Sequence, residues 1–218
     1  MSRPTEKETR AGLRVKYTVL KELAHGSFGA VYVIRDINDD RFALKVVRVV
    51  QSTRKVAFRA EVAVQRRLAR AGATLPILDH WINETEQLAY MVMPLYTTSL
   101  KKHPQIPTEL KRGLVKQLLI THQQQVQHTD IQSGNILLKI NNEGVVTDAV
   151  LSDWGKAKTL RVGGVEEDIK DLDAVLKGFK VQKVYDELNP APPAARQTRS
   201  GRRAKKPAAS QAVDVDLT

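Results

Sequence analysis

Short runs of β-branched and apolar residues, alternating with polar ones, begin at Tyr17 and recur through the N-terminal half of the chain. Those at 17–20, 31–34, 42–47, 77–83 and 88–93 have the length and composition of strands. Polar clusters such as Asn38-Asp39-Asp40 supply the turns between them. The pattern predicts an antiparallel sheet of five strands. A different period interrupts it. Residues 52–71 place Phe58, Val62 and Leu68 on one face and stop before Gly72, which predicts a helix. Helical spacing returns at 108–124, where Leu110, Leu114, Leu118 and Leu119 recur and Pro107 stands at the start. Runs at 136–140 and 149–151, parted by Asn141-Asn142-Glu143-Gly144, predict a hairpin.

The two ends follow neither period. Residues 1–14 are polar and charged, which predicts a flexible arm. From Asn189 onward proline, alanine, arginine and lysine dominate. Such a composition cannot bury a core and predicts a disordered basic tail over 189–218.

Composition narrows the classes. The 218 residues include no cysteine, which excludes disulfides and thiolate metal sites. No apolar run approaches membrane-spanning length, so the chain reads as soluble and intracellular, in nucleus or cytoplasm, without a membrane partner. The net charge of +11 favours polyanionic partners or is simply a solvated surface. Its densest stretch lies at 196–206, from Arg196 to Lys206, and reads as a nuclear-localisation or nucleic-acid segment. No aromatic residue interleaves those basic ones, so any nucleic-acid contact there is to phosphate.

The stretch that carries chemistry is His128-Thr129-Asp130-Ile131-Gln132-Ser133-Gly134-Asn135, which puts a carboxylate and a carboxamide five residues apart ahead of an apolar run. Beyond the predicted hairpin stands Asp153-Trp154-Gly155. The hairpin sets Asn135 and Asp153 at neighbouring strand ends, as two ligands of one metal require. Upstream, the first corner of the sheet reads Ala24-His25-Gly26-Ser27-Phe28-Gly29-Ala30-Val31. Glycines there let backbone amides approach phosphate oxygens, although a glycine pair at a hairpin also serves as a plain turn. Lys45 closes an apolar strand and Glu61 lies beside the apolar face of the first helix.

Taken in that order over residues 17–179, the set resembles the eukaryotic-type protein kinases. The resemblance implies an α+β, two-lobe fold. Residues 15–94 form a lobe of five antiparallel strands with helix C, and 95–188 a shortened, mostly helical second lobe. It implies ATP and Mg2+ as cofactors, with Asp130 accepting the substrate hydroxyl proton and Asn135 and Asp153 holding the metal. Lys45, paired to Glu61, would grip the phosphates. Ala24, Gly26, Ser27, Phe28, Gly29 and Val31 would cover the nucleotide. Val31, Ala43 and Leu137 would sandwich adenine, Met93 would stand at the back of its pocket, and Leu95 and Tyr96 would continue the hinge.

Departures from the pattern bear on function. Ala24 replaces the first glycine, and Gln65 stands one turn after Glu61 where an apolar residue is usual, which predicts looser coupling of that helix to the site. Thr129 replaces the arginine before Asp130, Gln132 replaces a phosphate-neutralising lysine, and Gly134 is not the arginine used nearby by tyrosine kinases. Lys156 and Lys158 are the lysines placed to supply that charge. No A-P-E motif follows Asp153. Instead a short linker leads to the 166–176 segment, which resembles the second lobe's central helix and places Asp168 at its start to brace the catalytic loop. The layout is similar to small atypical kinases and equally to a truncated virus-borne or degenerate one.

Three functions follow from this reading. The first is a protein kinase moving the γ-phosphate of Mg-ATP to a serine or threonine of a protein substrate. The second is a pseudokinase or decoy that binds a partner kinase or other protein. The third is a nucleic-acid-associated protein dominated by its tail.

Overall fold

The computed structural model describes residues 3–26 and 29–190. Ser27, Phe28 and the basic tail from 191 onward lie outside the described residues.

The strands β1 (Thr18–His25), β2 (Gly29–Arg35), β3 (Arg41–Arg48), β4 (Asp79–Asn83) and β5 (Leu88–Pro94) form one antiparallel sheet in the order β1-β2-β3-β5-β4. Strand periodicity divides its buried residues between two faces. Val19, Tyr32, Ile34, Leu44, Val46, Tyr90 and Val92 cluster on one side. Ala89 and Met91, the odd-numbered neighbours of Tyr90, join Val49, Phe58 and Val62 on the other.

A helix fills each side. The expected one, α2 (Ser52–Arg70), lays Phe58 and Val62 on the sheet and passes Leu68 into the second lobe's core. The other corrects the expectation of an arm without structure over 1–14. Helix α1 (Glu6–Ala11) opens with a capping box in which Thr5 and Glu8 satisfy each other's backbone. Arg48 on β3 clamps both Glu8 oxygens at 2.8 Å, and the Tyr90 hydroxyl donates to the Thr9 carbonyl. Trp81 stacks between Tyr17 and Tyr90, at centroid distances of 6.2 and 4.7 Å. Its indole N–H donates to Gly12, and Arg14 covers its outer ring while pairing with Asp79. Only glycine fits at position 12, because a Cβ there would lie 2.1 Å from the Tyr90 hydroxyl oxygen. The segment lacks an apolar stripe because its anchors are hydrogen bonds, a guanidinium and an aromatic stack.

Beyond Pro94 the architecture changes. Two-residue strands β6 (Thr98–Ser99) and β7 (Val126–Gln127) flank α3 (Thr108–Gln123). The predicted hairpin is β8 (Ile136–Ile140) and β9 (Val146–Leu151), with β6 on its outer edge. A further short strand, β10 (Lys158–Thr159), pairs with β7, and α4 (Gly164–Leu176) follows as expected. Helix α5 (Val181–Leu188) was not expected, although Val181, Val184 and Tyr185 have helical spacing and are all buried. Leu114, Leu118, Leu138, Leu151, Trp154, Ile169, Leu172 and Tyr185 make one core beneath the hairpin. The outward face of α4 is polar, with Glu166, Glu167, Lys170, Asp171 and Asp173 exposed. Among the described residues no helix is long and apolar enough to cross a membrane.

Candidate active site

Three elements converge on one ammonium. Lys45, expected at a strand end, sits mid-strand on β3 because the strand runs on to Arg48, and it lies opposite Val31 of β2 and Met91 of β5. Its Nζ lies 2.6 Å from Glu61 Oε1 on α2 and 2.7 Å from Asp153 Oδ1 just past β9. Burial alone would lower the lysine's pKa. The two carboxylates outweigh it and raise the value, so the ammonium is held charged. Burial pushes Asp153 upward, and the Lys45 charge and hydrogen bond, with the Gly155 N–H, bring its carboxyl below the ordinary range. Asp153 has a left-handed backbone (φ 67°), a conformation that costs a non-glycine residue energy and persists because its neighbours fix it.

Those neighbours begin with Trp154, 1% exposed. A buried indole N–H needs an acceptor. Thr74 Oγ1 accepts it at 3.0 Å and donates in turn to the Leu151 carbonyl at 2.7 Å. The opposite side of Trp154 meets the His128 ring at 4.4 Å. His128 Nε2 faces the Ser152 carbonyl, so it carries the proton, and Nδ1 accepts from the Asp130 N–H. Burial lowers the pKa of His128 and keeps that neutral tautomer.

The loop backbone hangs from Asp168. This fully buried carboxylate accepts from the N–H of His128 at 2.7 Å and of Thr129 at 3.0 Å. His122 of α3 approaches it at 3.2 Å and reaches the Tyr185 hydroxyl of α5 at 2.8 Å. The bracing expected of Asp168 is thus in place. Sequence reasoning did not find His122, Tyr185 or Thr74. Their partners stand 46 to 80 positions away in the chain, so no local pattern marked them.

Asp130 lies on this floor, partly exposed. Asn135 Nδ2 donates to its backbone carbonyl at 2.9 Å and to Oδ2 at 3.2 Å. Gln132 Nε2 stands 3.4 Å from Oδ2, and Lys156 Nζ 3.0 Å from Oδ1. Lys158, the other lysine considered, lies exposed in β10. Pairing of Ile136 with Leu151, and of the Asn135 carbonyl with Ser152 N and Oγ at 2.9 Å each, brings Asn135 and Asp153 to adjacent strand ends.

Their chemistry fits a divalent cation held jointly with phosphate. The Asn135 amide group is committed to Asp130, which leaves its carbonyl oxygen as a hard donor beside the Asp153 carboxylate. Among the described residues no set of three or more His, Cys, Asp or Glu stands ready to bind a metal unaided. Magnesium characteristically takes one or two protein oxygens and completes its shell with phosphate and water.

The remaining nucleotide candidates surround this floor. Ala24 and Val31 pair across the first corner, and the Gly26 N–H closes it on the Gly29 carbonyl at 2.9 Å. A Cβ at Gly29 would meet the Val46 carbonyl at 2.7 Å, so strand packing requires that glycine. Gly26 has open space around it. Ala43 pairs with Met93 in register, and Val31, Leu95 and Leu137 are half-buried. The Tyr96 hydroxyl is tied to Asp148 at 2.7 Å. Gln65 corrects an expectation. Buried at 2% exposure, it donates to the Leu75 carbonyl at 3.2 Å and reaches Met93 Sδ at 3.4 Å, so it fastens α2 to the site it was expected to loosen from.

Comparison with known proteins places the chain among kinases at low identity. The chain is 24% identical over 188 residues to a probable serine/threonine-protein kinase zyg-1 of Caenorhabditis elegans, covering 82% of this chain and 25% of that one. It is 28% identical over 173 residues to the serine/threonine-protein kinase STK11 of Rattus norvegicus, covering 72% and 38%. A probable casein kinase I homolog of Encephalitozoon cuniculi is 26% identical over 146 residues, covering 62% and 45%. The chain therefore spans between a quarter and somewhat under half of these relatives' length. The family model described as protein kinase domain matches residues 17–171, which contain Lys45, Glu61, Asp130, Asn135, Asp153 and Asp168. This chain belongs to the protein kinase domain family.

Proposed function

We propose that the chain is a magnesium- and ATP-dependent kinase that phosphorylates serine or threonine hydroxyls of proteins. The observation that carries this reading is the Lys45 ammonium held between Glu61 and Asp153, on the same floor as Asp130 and Asn135. A merely structural lobe has no need to concentrate a lysine, three carboxylates and an asparagine on one floor. The serine/threonine preference is supported by the names of the relatives alone.

Within this reading Lys45, fixed by Glu61, orients the α- and β-phosphates. Asn135 and Asp153 would hold the metal, which when bound neutralises phosphate charge and orients the γ-phosphoryl group. Asp130 receives the hydroxyl proton as oxygen attacks, and its two hydrogen-bonded amides keep that carboxylate aimed. Val31, Ala43, Met93, Leu95 and Leu137 supply the apolar bed for adenine.

The experiment that tests this reading is calorimetric titration of ATP with and without magnesium. Wild type should bind in a magnesium-dependent manner. Asp153→Asn should lose most of the magnesium dependence, and Lys45→Met should weaken binding in both conditions. Binding that ignores both magnesium and Asp153→Asn would overturn the assignment of the metal ligands, and no binding would overturn the kinase reading in favour of a partner-binding pseudokinase.

A further inference from the structure

Phosphoryl transfer spreads negative charge over the moving group's oxygens, and a site that accelerates it places cations there. The loop from His128 to Asn135 contains no lysine or arginine. Among the described residues, the cation brought to Asp130 is Lys156, 3.0 Å from Oδ1. Its position is prepared by the backbone. Residues Trp154–Lys156 form one tight turn directly after Asp153. Thr129 Oγ1 donates to the Lys156 carbonyl at 2.7 Å. Thr129 itself has a left-handed backbone (φ 63°) and its N–H is bound to Asp168. Gln132 and Asn135 occupy the other carboxylate oxygen, Oδ2. Two positions where the loop departs from the family pattern therefore bear on Lys156: residue 129 holds its backbone carbonyl, and residue 132 shares the Asp130 carboxylate with it.

We infer that Lys156 is the phosphate-neutralising cation of this site, delivered from the metal-binding turn instead of from the catalytic loop, with Thr129 positioning it. The inference rests on the kinase reading and deepens it. In the step concerned, the substrate hydroxyl oxygen bonds to the γ-phosphorus and the bond from that phosphorus to the bridging oxygen breaks. The hydroxyl proton passes to Asp130, and ADP leaves with the bond's electron pair. Lys156 Nζ touches both Asp130 Oδ1 and a γ-phosphoryl oxygen while the charge moves. Its side chain is 68% exposed, so it reaches the phosphoryl oxygen from its place on Asp130 without repacking the core.

The test relocates the charge. With Mg-ATP and a generic basic protein as substrate, Lys156→Gln should lower kcat about 100-fold. The KM for ATP should stay within about threefold, since the lost contact belongs to the transition state. Adding Gln132→Lys returns the cation from the loop side and should restore kcat to within about tenfold of wild type. Thr129→Val should lower kcat less, and Thr129→Ser should keep it. Lys158→Ala, at an exposed lysine away from Asp130, should turn over normally. Asp153→Asn serves as the silent control in the same assay. If wild type is active, Asp153→Asn is silent and Lys156→Gln keeps its kcat, the kinase reading stands and the role of Lys156 is overturned. A loss that Gln132→Lys does not reverse overturns that role as well. Wild-type protein without transfer overturns both.

Discussion

Replacing Thr74 by valine keeps the side-chain shape and removes one hydroxyl from a site 8% exposed. That hydroxyl has two partners in series, the Trp154 indole N–H at 3.0 Å and the Leu151 carbonyl at 2.7 Å. Thr74→Val strands both in the core. Each buried polar group left without a partner costs about 1–3 kcal/mol, and the carbonyl and indole recover part of this by small shifts, so about 3 kcal/mol is expected for the pair. For a chain of this size such a loss lowers Tm by roughly 6–12 °C. Thr74→Ser keeps the hydroxyl and should lose only about 1 kcal/mol for the missing methyl. Trp154→Phe removes the indole N–H, so Thr74→Val should cost less in that background. The coupling between the two sites should be about 1–2 kcal/mol. Urea unfolding of the five proteins (wild type, Thr74→Val, Thr74→Ser, Trp154→Phe and the double variant), followed by circular dichroism, measures each term. Thr74→Val within about 0.5 kcal/mol of wild type, or a coupling near zero, would refute the claim that Thr74 holds Trp154 and with it the turn carrying Asp153.

Other consequences are as direct. Gly12→Ala drives a methyl into the Tyr90 hydroxyl and should destabilise by about 1–3 kcal/mol in thermal or urea melts, separating α1 from the sheet. Gln65→Leu leaves the Leu75 carbonyl unpaired and should cost about 1–2 kcal/mol, where a mere packing position would gain from the apolar side chain. Glu8 is held down to about 2 by the Thr5 N–H, the Arg48 guanidinium and the Thr5 hydroxyl, from an ordinary value of 4.5. A depressed folded-state pKa means the contribution is complete above about 4.5 and is lost as pH falls from there towards 2. Because the side chain is 36% exposed, solvent screening reduces that contribution to about 1 kcal/mol. The stability difference between wild type and Glu8→Gln, measured from pH 6 to pH 2, should shrink by that amount.

Much of this molecule was legible because two periods and a few chemically committed side chains run in order. Strand alternation fixed the sheet, helical spacing fixed α2 and α3 to within a residue or two, and the kinase resemblance supplied α4. The site was legible for a different reason. Lys45, Glu61, Asp130, Asn135 and Asp153 lie far apart in sequence, and a protein kinase-like fold is what brings such a series together. What escaped is held by polar or single contacts. Helix α1 buries Thr9 and no large apolar residue, so no hydrophobic period marks it; its cap, its clamp from Arg48 and its glycine all depend on distant partners. Gln65 was misread because a glutamine in an apolar slot says nothing of the carbonyl waiting for it. The pairing of Thr74 with Trp154 spans eighty positions and is visible only in three dimensions.

The central claim is that Lys45, Glu61, Asp130, Asn135 and Asp153 form a working phosphoryl-transfer site. Its most direct test is transfer of labelled γ-phosphate from Mg-ATP to the chain itself and to a basic protein, beside Asp130→Asn and Asp153→Asn variants that melt like wild type. The account predicts incorporation on serine or threonine that both variants reduce by at least about 100-fold. Folded wild-type protein that transfers nothing with magnesium or manganese, or that transfers equally well without either carboxylate, would contradict it.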